Sequence, residues 1–136
     1  MCGSNTKGQL DELIQRRIIK PEEKETCQDG GITISEMKEM QRQLQEKYKD
    51  KWEGVAPEIG QNKLLWMIGE IGEVIDVIKQ NGSEPIMEDP AIRAHFVEEM
   101  ADVLMYYNDI LLCFDISQEE LKQAYTGKFQ QNMTRW

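Results

Sequence analysis

Between Lys63 and Gln80 the chain reads KLLWMIGEIGEVIDVIKQ, an almost unbroken apolar run that nevertheless carries Glu70 and Glu73. At about 100° per residue, Leu64, Ile68, Ile71, Ile75 and Ile78 share one narrow face, which predicts the seam of a helix laid on a core. Trp66, Glu70, Glu73 and Val77 fall together on a roughly opposite face. A solvated face does not normally combine a tryptophan, a valine and two acids. The helix is therefore expected to be covered on both sides, with its acids held inside. Ionised carboxylates in such a place need a partner.

The remainder of the chain bears on that demand. With 136 residues, 40% hydrophobic and 30% charged, it suits a single soluble globular domain with no run approaching a membrane span. Nothing after MCGSNTKGQ resembles a signal peptide, so a cytoplasmic location is expected. Cys2, Cys27 and Cys113 are scattered, odd in number and without CxxC spacing, which argues against a disulfide framework or a zinc cluster. A formal charge of −9 with no basic stripe disfavours a nucleic-acid backbone as partner. It does not disfavour a small phosphorylated ligand, because divalent cations held by acids invert the local field.

Residues 1–31 read as an N-terminal extension. Leu10, Ile14 and Ile18 stand at helical spacing in one short helix stopped by Pro21, followed by a charged linker ending in Gly30 and Gly31. The domain proper is expected over residues 32–136. Its first helix follows Thr33, whose spacing to Glu36 is that of a capping box, with a stripe of Met37, Met40 or Gln41, Leu44 and Tyr48. Gly54, Pro57 and Gly60 make Lys51 to Gln61 a loop, and it carries Trp52, either a plug under the loop or a ring that stacks on a flat ligand. NGSEPIMEDP reads as a turn. Asp89 and Pro90 then start a helix through Phe114.

On that helix Ile92, Phe96, Glu99, Val103, Tyr106 and Ile110 form one stripe, so Glu99 again stands where an apolar residue is expected, with Asp102 beside it. The spacing repeats that of Glu70 and Glu73, and residues three apart are neighbours on a helix. A last helix begins at a Ser117/Glu120 capping box, is weakened at Gly127, and carries Lys128, Asn132 and Arg135 on one face. Such cations near a helix C-terminus complement the dipole, and they also suit an outgoing diphosphate.

Two carboxylates at about 4 Å repel by roughly 4 kcal/mol at an effective dielectric of 20, so four acids brought together take up protons or bind cations. Four negative charges match two divalent cations, and an all-oxygen ligand set selects Mg²⁺ or Mn²⁺. The one histidine, His95, is absent from the positions that a di-iron carboxylate bundle would use, and reads as structural or surface. Paired hard cations suit phosphoryl chemistry.

GEIGEVIDVI followed by EEMADVLMY resembles the paired ExxE and ExxD signature of the MazG-like all-α nucleoside triphosphate pyrophosphohydrolases, with flanks most like the dCTP pyrophosphatase branch. The similarity covers roughly Thr33 to Arg135. It implies an all-α, MazG-like four-helix arrangement assembled as a homodimer or homotetramer. The implied reaction is Mg²⁺-dependent hydrolysis of a nucleoside triphosphate, such as dCTP or a modified dNTP, to the monophosphate and pyrophosphate. Glu70, Glu73, Glu99 and Asp102 match the family's metal ligands, and Glu70 is the candidate to orient or deprotonate the attacking water. Lys128, Asn132 and Arg135 match its phosphate-facing tail, Trp52 a base-stacking ring and Tyr106 a sugar contact. Gly69 stands where many MazG sequences carry a further acid. Alternative readings are a non-catalytic nucleotide-binding or helical interaction protein, and phosphoribosyl-ATP pyrophosphohydrolysis.

Overall fold

The computed structural model of the chain describes residues 30–136. The expected short helix with Leu10, Ile14 and Ile18, and the thiols Cys2 and Cys27, lie outside the described residues. The chain divides between Thr33 and Ile34, and Ile34–Trp136 forms one compact unit. The described residues are helical with no strand: α1 (Ile34–Lys47), a 3₁₀ turn (Pro57–Ile59), α2 (Gly60–Asn81), α3 (Ser83–Glu88), α4 (Pro90–Cys113) and α5 (Gln118–Arg135). None of the helices is long and apolar enough to cross a membrane.

The helix boundaries follow from local chemistry. Asp89 caps α4 by accepting from the backbone N–H groups of Ala91 and Ile92, with Pro90 in the first turn. Ser117 and Glu120 form the reciprocal capping box that starts α5, which runs unbroken through Gly127. The expected turn NGSEPIMEDP is instead the short helix α3, whose Ile86 is buried. Pro85 does not prevent it, because a proline in the first turn sacrifices an N–H that has no helical acceptor. The expected loop is also shorter at its end: α2 begins at Gly60, where a Cβ would collide with the Phe114 ring. That close approach explains the glycine.

α2 and α4 are the principal packing pair; α1 lies against α4, and α3 against α4 and α2. The short α2–α4 connection makes the two antiparallel. The face of α2 that enters this core is not the expected isoleucine seam. Val74 and Val77 are buried, whereas Leu64, Ile68, Ile71, Ile75 and Ile78 are exposed, Ile68 by 60%. The periodicity correctly marked an apolar face, but the packing against α4 uses its neighbour. On α1 the alternative resolves to Gln41, which is buried, while Met40 is exposed.

The core itself is unusual in composition. Beside Val74, Val77, Ile86, Leu111 and Cys113 it buries Lys38, Gln41, Gln45, Lys63, Asn108 and Asp109. Most of these are paired. Lys38 Nζ donates to the Ile116 carbonyl, and Gln41 Nε2 and Gln45 Nε2 donate to the two Asp109 carboxylate oxygens at 2.9 and 3.4 Å. Asn108 Nδ2 donates to the Leu104 carbonyl at 2.9 Å. Buried polar groups demand such partners, and here the demand locks α1 onto α4.

Candidate functional site

The antiparallel pairing of α2 and α4 brings Glu70 opposite Asp102. One carboxylate oxygen from each of Glu70, Glu99 and Asp102 lies within 4.8 Å of the others. Glu99 and Asp102 are a turn apart on α4, as their spacing predicts. Glu73, one turn beyond Glu70, is exposed and does not join the three at this separation. His95 is a surface residue, and its Nδ1 lies 3.6 Å from Glu99 Oε1.

Electrostatics single out Glu70. Partial burial raises its pKa above the ordinary value, and the negative charges of Asp102, Glu99 and Glu73 raise it further. The donor set is carboxylate only, without thiolate, which is the ligand type that hard divalent cations such as Mg²⁺ or Mn²⁺ take.

Glu70 and Asp102 also line a cavity of about 560 Å³. Its aromatic wall is Trp52, Trp66 and Tyr106, and its buried end holds Gln41, Lys63 and Asp109. Trp52 is 42% exposed and stacks on Tyr48, with ring centroids 4.7 Å apart and planes inclined by 28°. It is a presented ring and no plug of the core. Trp66 is exposed beside it. Burial raises the Tyr106 phenol pKa, and the charges of Glu70, Asp109 and Asp102 raise it further. The phenol therefore keeps its proton and remains a hydrogen-bond donor.

The expected phosphate-facing residues are placed differently. Lys128, Asn132 and Arg135 are exposed on α5, and none of them lines the cavity of its own chain. The Arg135 guanidinium lies over the Trp136 ring, 5.0 Å from its centroid. From Lys122 onward every residue of α5 except Gly127 is exposed.

Several cavity residues escaped the sequence reading, among them Gln41 as a polar contact, Lys63 and Asp109. The signal for two of them was present. Lys63 stands seven residues before Glu70 and Asp109 seven after Asp102, which is two turns along the same faces. Asp109 is, moreover, an acid inside the apolar run LMYYNDILLCF. Cys113 is a free, buried thiol whose pKa burial pushes up. Comparison with protein-family models, with curated proteins and with solved structures found no match to this chain.

Proposed function

We propose that the chain is a Mg²⁺-dependent nucleoside triphosphate pyrophosphohydrolase that acts on a deoxynucleotide. The observation that carries this reading is the convergence of Glu70, Glu99 and Asp102, two of which, Glu70 and Asp102, line a cavity walled by Trp52, Trp66 and Tyr106. An acid cluster suited to a hard cation meets a phosphate chain, and flat rings beside it meet a base. The sequence resemblance to MazG-like enzymes points the same way.

Glu70, Glu99 and Asp102 would hold the cation, with Glu73 as the fourth acid on the adjoining turn. A bound Mg²⁺ supplies charge neutralisation on the phosphate oxygens and a lowered pKa for a bound water. The protein's own part is to place the triphosphate along α2 and α4, with Glu70 set to orient the attacking water and accept its proton. A P–O bond forms to that water oxygen, and the bridge between the α and β phosphates breaks to release pyrophosphate. Trp52 stacks on the base, and the Tyr106 hydroxyl donates to the sugar.

Lys128, Asn132 and Arg135 serve the outgoing diphosphate from a neighbouring copy in a homodimer or homotetramer. Two exposed apolar faces support such an assembly: the isoleucine seam of α2, and Tyr125, Phe129 and Met133 on α5 with Trp136 just after it.

The test is incubation of the full chain with a panel of canonical and modified NTPs and dNTPs, with Mg²⁺ or EDTA, following monophosphate and pyrophosphate together. Equimolar release in Mg²⁺ and none in EDTA is expected. Failure of every triphosphate would return the chain to a non-catalytic nucleotide-binding protein, and turnover of phosphoribosyl-ATP alone would redirect the substrate.

A further inference from the structure

At the end of the cavity away from the acids, Lys63 and Asp109 form an ion pair, 5% and 4% exposed respectively. The pair is incompletely satisfied. Lys63 Nζ lies 3.8 Å from Asp109 Oδ2, beyond hydrogen-bond reach, and that is its one ion-pair contact among the described residues. Among those residues its three protons are thus without an acceptor at hydrogen-bond distance, on a side chain that lines the cavity. Asp109 is held in place by Gln41 Nε2 and Gln45 Nε2, one on each oxygen, and each oxygen keeps further accepting capacity. Buried pairs often contribute no more stability than two apolar residues of the same volume. Its rigid support from α1 is what a recognition element requires.

The placement limits what it can recognise. Lys63 and Asp109 lie seven residues, about 10 Å along each helix, from Glu70 and Asp102. A ligand whose phosphates sit at the acids presents its far end here, after passing Trp52, Trp66 and Tyr106. The far end is not a second phosphate, because Asp109 would repel it and the pair is neutral as a whole. Lys63 can only donate and ionised Asp109 can only accept, so the complement is a flat, uncharged edge with an acceptor beside a donor.

We propose that Lys63 and Asp109, positioned by Gln41 and Gln45, read the polar edge of the nucleobase, Lys63 donating to a ring or carbonyl acceptor and Asp109 accepting from the adjacent N–H. This deepens, and rests on, the nucleotide reading of the cavity.

The test measures binding without turnover. In saturating Mg²⁺, the quenching of tryptophan fluorescence is titrated with the four deoxynucleoside 5′-monophosphates, which the proposed reaction releases and does not consume, and with deoxyribose 5-phosphate as the abasic control. The wild-type chain is expected to bind at least one monophosphate ~10-fold or more tighter than the control, and methylation of that base's edge N–H is expected to abolish the advantage. This measurement needs no variant. A Lys63→Met/Asp109→Leu double variant leaves neither charge buried alone and, once its melting transition confirms the fold, is expected to bind all four monophosphates alike.

Preference for thymidylate or deoxyguanylate identifies a carbonyl beside a ring N–H as the edge, and preference for deoxycytidylate or deoxyadenylate an amino group beside a ring nitrogen; both support the proposal. Equal binding of the methylated base, or an unchanged ranking in the double variant, overturns it. If the wild type hydrolyses triphosphates while the double variant keeps that ranking, the inference fails and the reaction stands. If base discrimination is present and hydrolysis absent, the reaction fails and the inference stands.

Discussion

Glu70 is the residue on which burial and charge act in the same direction. Both raise its pKa from the ordinary 4.5, so the fold favours its protonated form. Its contribution to stability is therefore fully present below the unfolded value and is lost as pH rises through the raised folded value. In EDTA, Glu70→Gln is expected to melt higher than wild type at pH 8, with the gap closing towards pH 4. A variant that kept the wild-type pH slope would contradict the acid cluster. Saturating Mg²⁺ is expected to raise the wild-type melting temperature and to erase the advantage of the glutamine.

The same cluster separates two acids that look equivalent in the sequence. Asp102→Asn is expected to lower kcat/KM by about 100-fold or more, the scale of losing a group that stabilises charge in the transition state. Exposed Glu73→Gln should cost closer to ~10-fold, as for a supporting residue. Steady-state kinetics with the best triphosphate decides the order, and a larger loss at Glu73 would mean that its side chain turns inward when the cation binds. Trp52→Ala should raise KM with kcat largely kept. An unchanged substrate profile would remove Trp52 from base stacking.

At the scale of elements, the starts of α4 and α5 were legible because caps are local. Asp89 and Ser117 act on backbone N–H groups within three residues of themselves. Asp89→Ala should cost ~1 kcal/mol in chemical denaturation, with faster amide exchange confined to the first turn of α4. A loss of exchange protection across the whole helix would indicate a role beyond capping. α3 was not legible, because Gly82 and Pro85 carry turn chemistry and only the docking of Ile86 selects the helix. The turn between α4 and α5 places Asp115 at φ 51°, a left-handed position that aspartate tolerates better than most residues.

At the scale of the whole molecule, the proposed assembly rests on two exposed apolar surfaces, the seam of α2 and the stripe of α5. Static light scattering of the full chain should give a multiple of 15.8 kDa. Ile68→Glu with Ile75→Glu, which charges the seam without touching the cavity, should lower that mass. A monodisperse wild-type monomer would remove both the assembly and the supply of Lys128, Asn132 and Arg135 from a neighbouring copy.

What the sequence determined by itself had a short range: the long helices, the caps of α4 and α5, and the pairing of Glu99 with Asp102 on one helix face. The tertiary structure decided which apolar face of α2 meets α4, that Gln41 and not Met40 enters the core, and that Glu70 joins Glu99 and Asp102 while Glu73 stays outside. It also decided that Lys63 meets Asp109, 46 residues along the chain. The physical reason is that a 3.6-residue period states how side chains share a face but not what that face touches. Antiparallel register between two helices is a property of the pair, and the cavity exists only once that register is set.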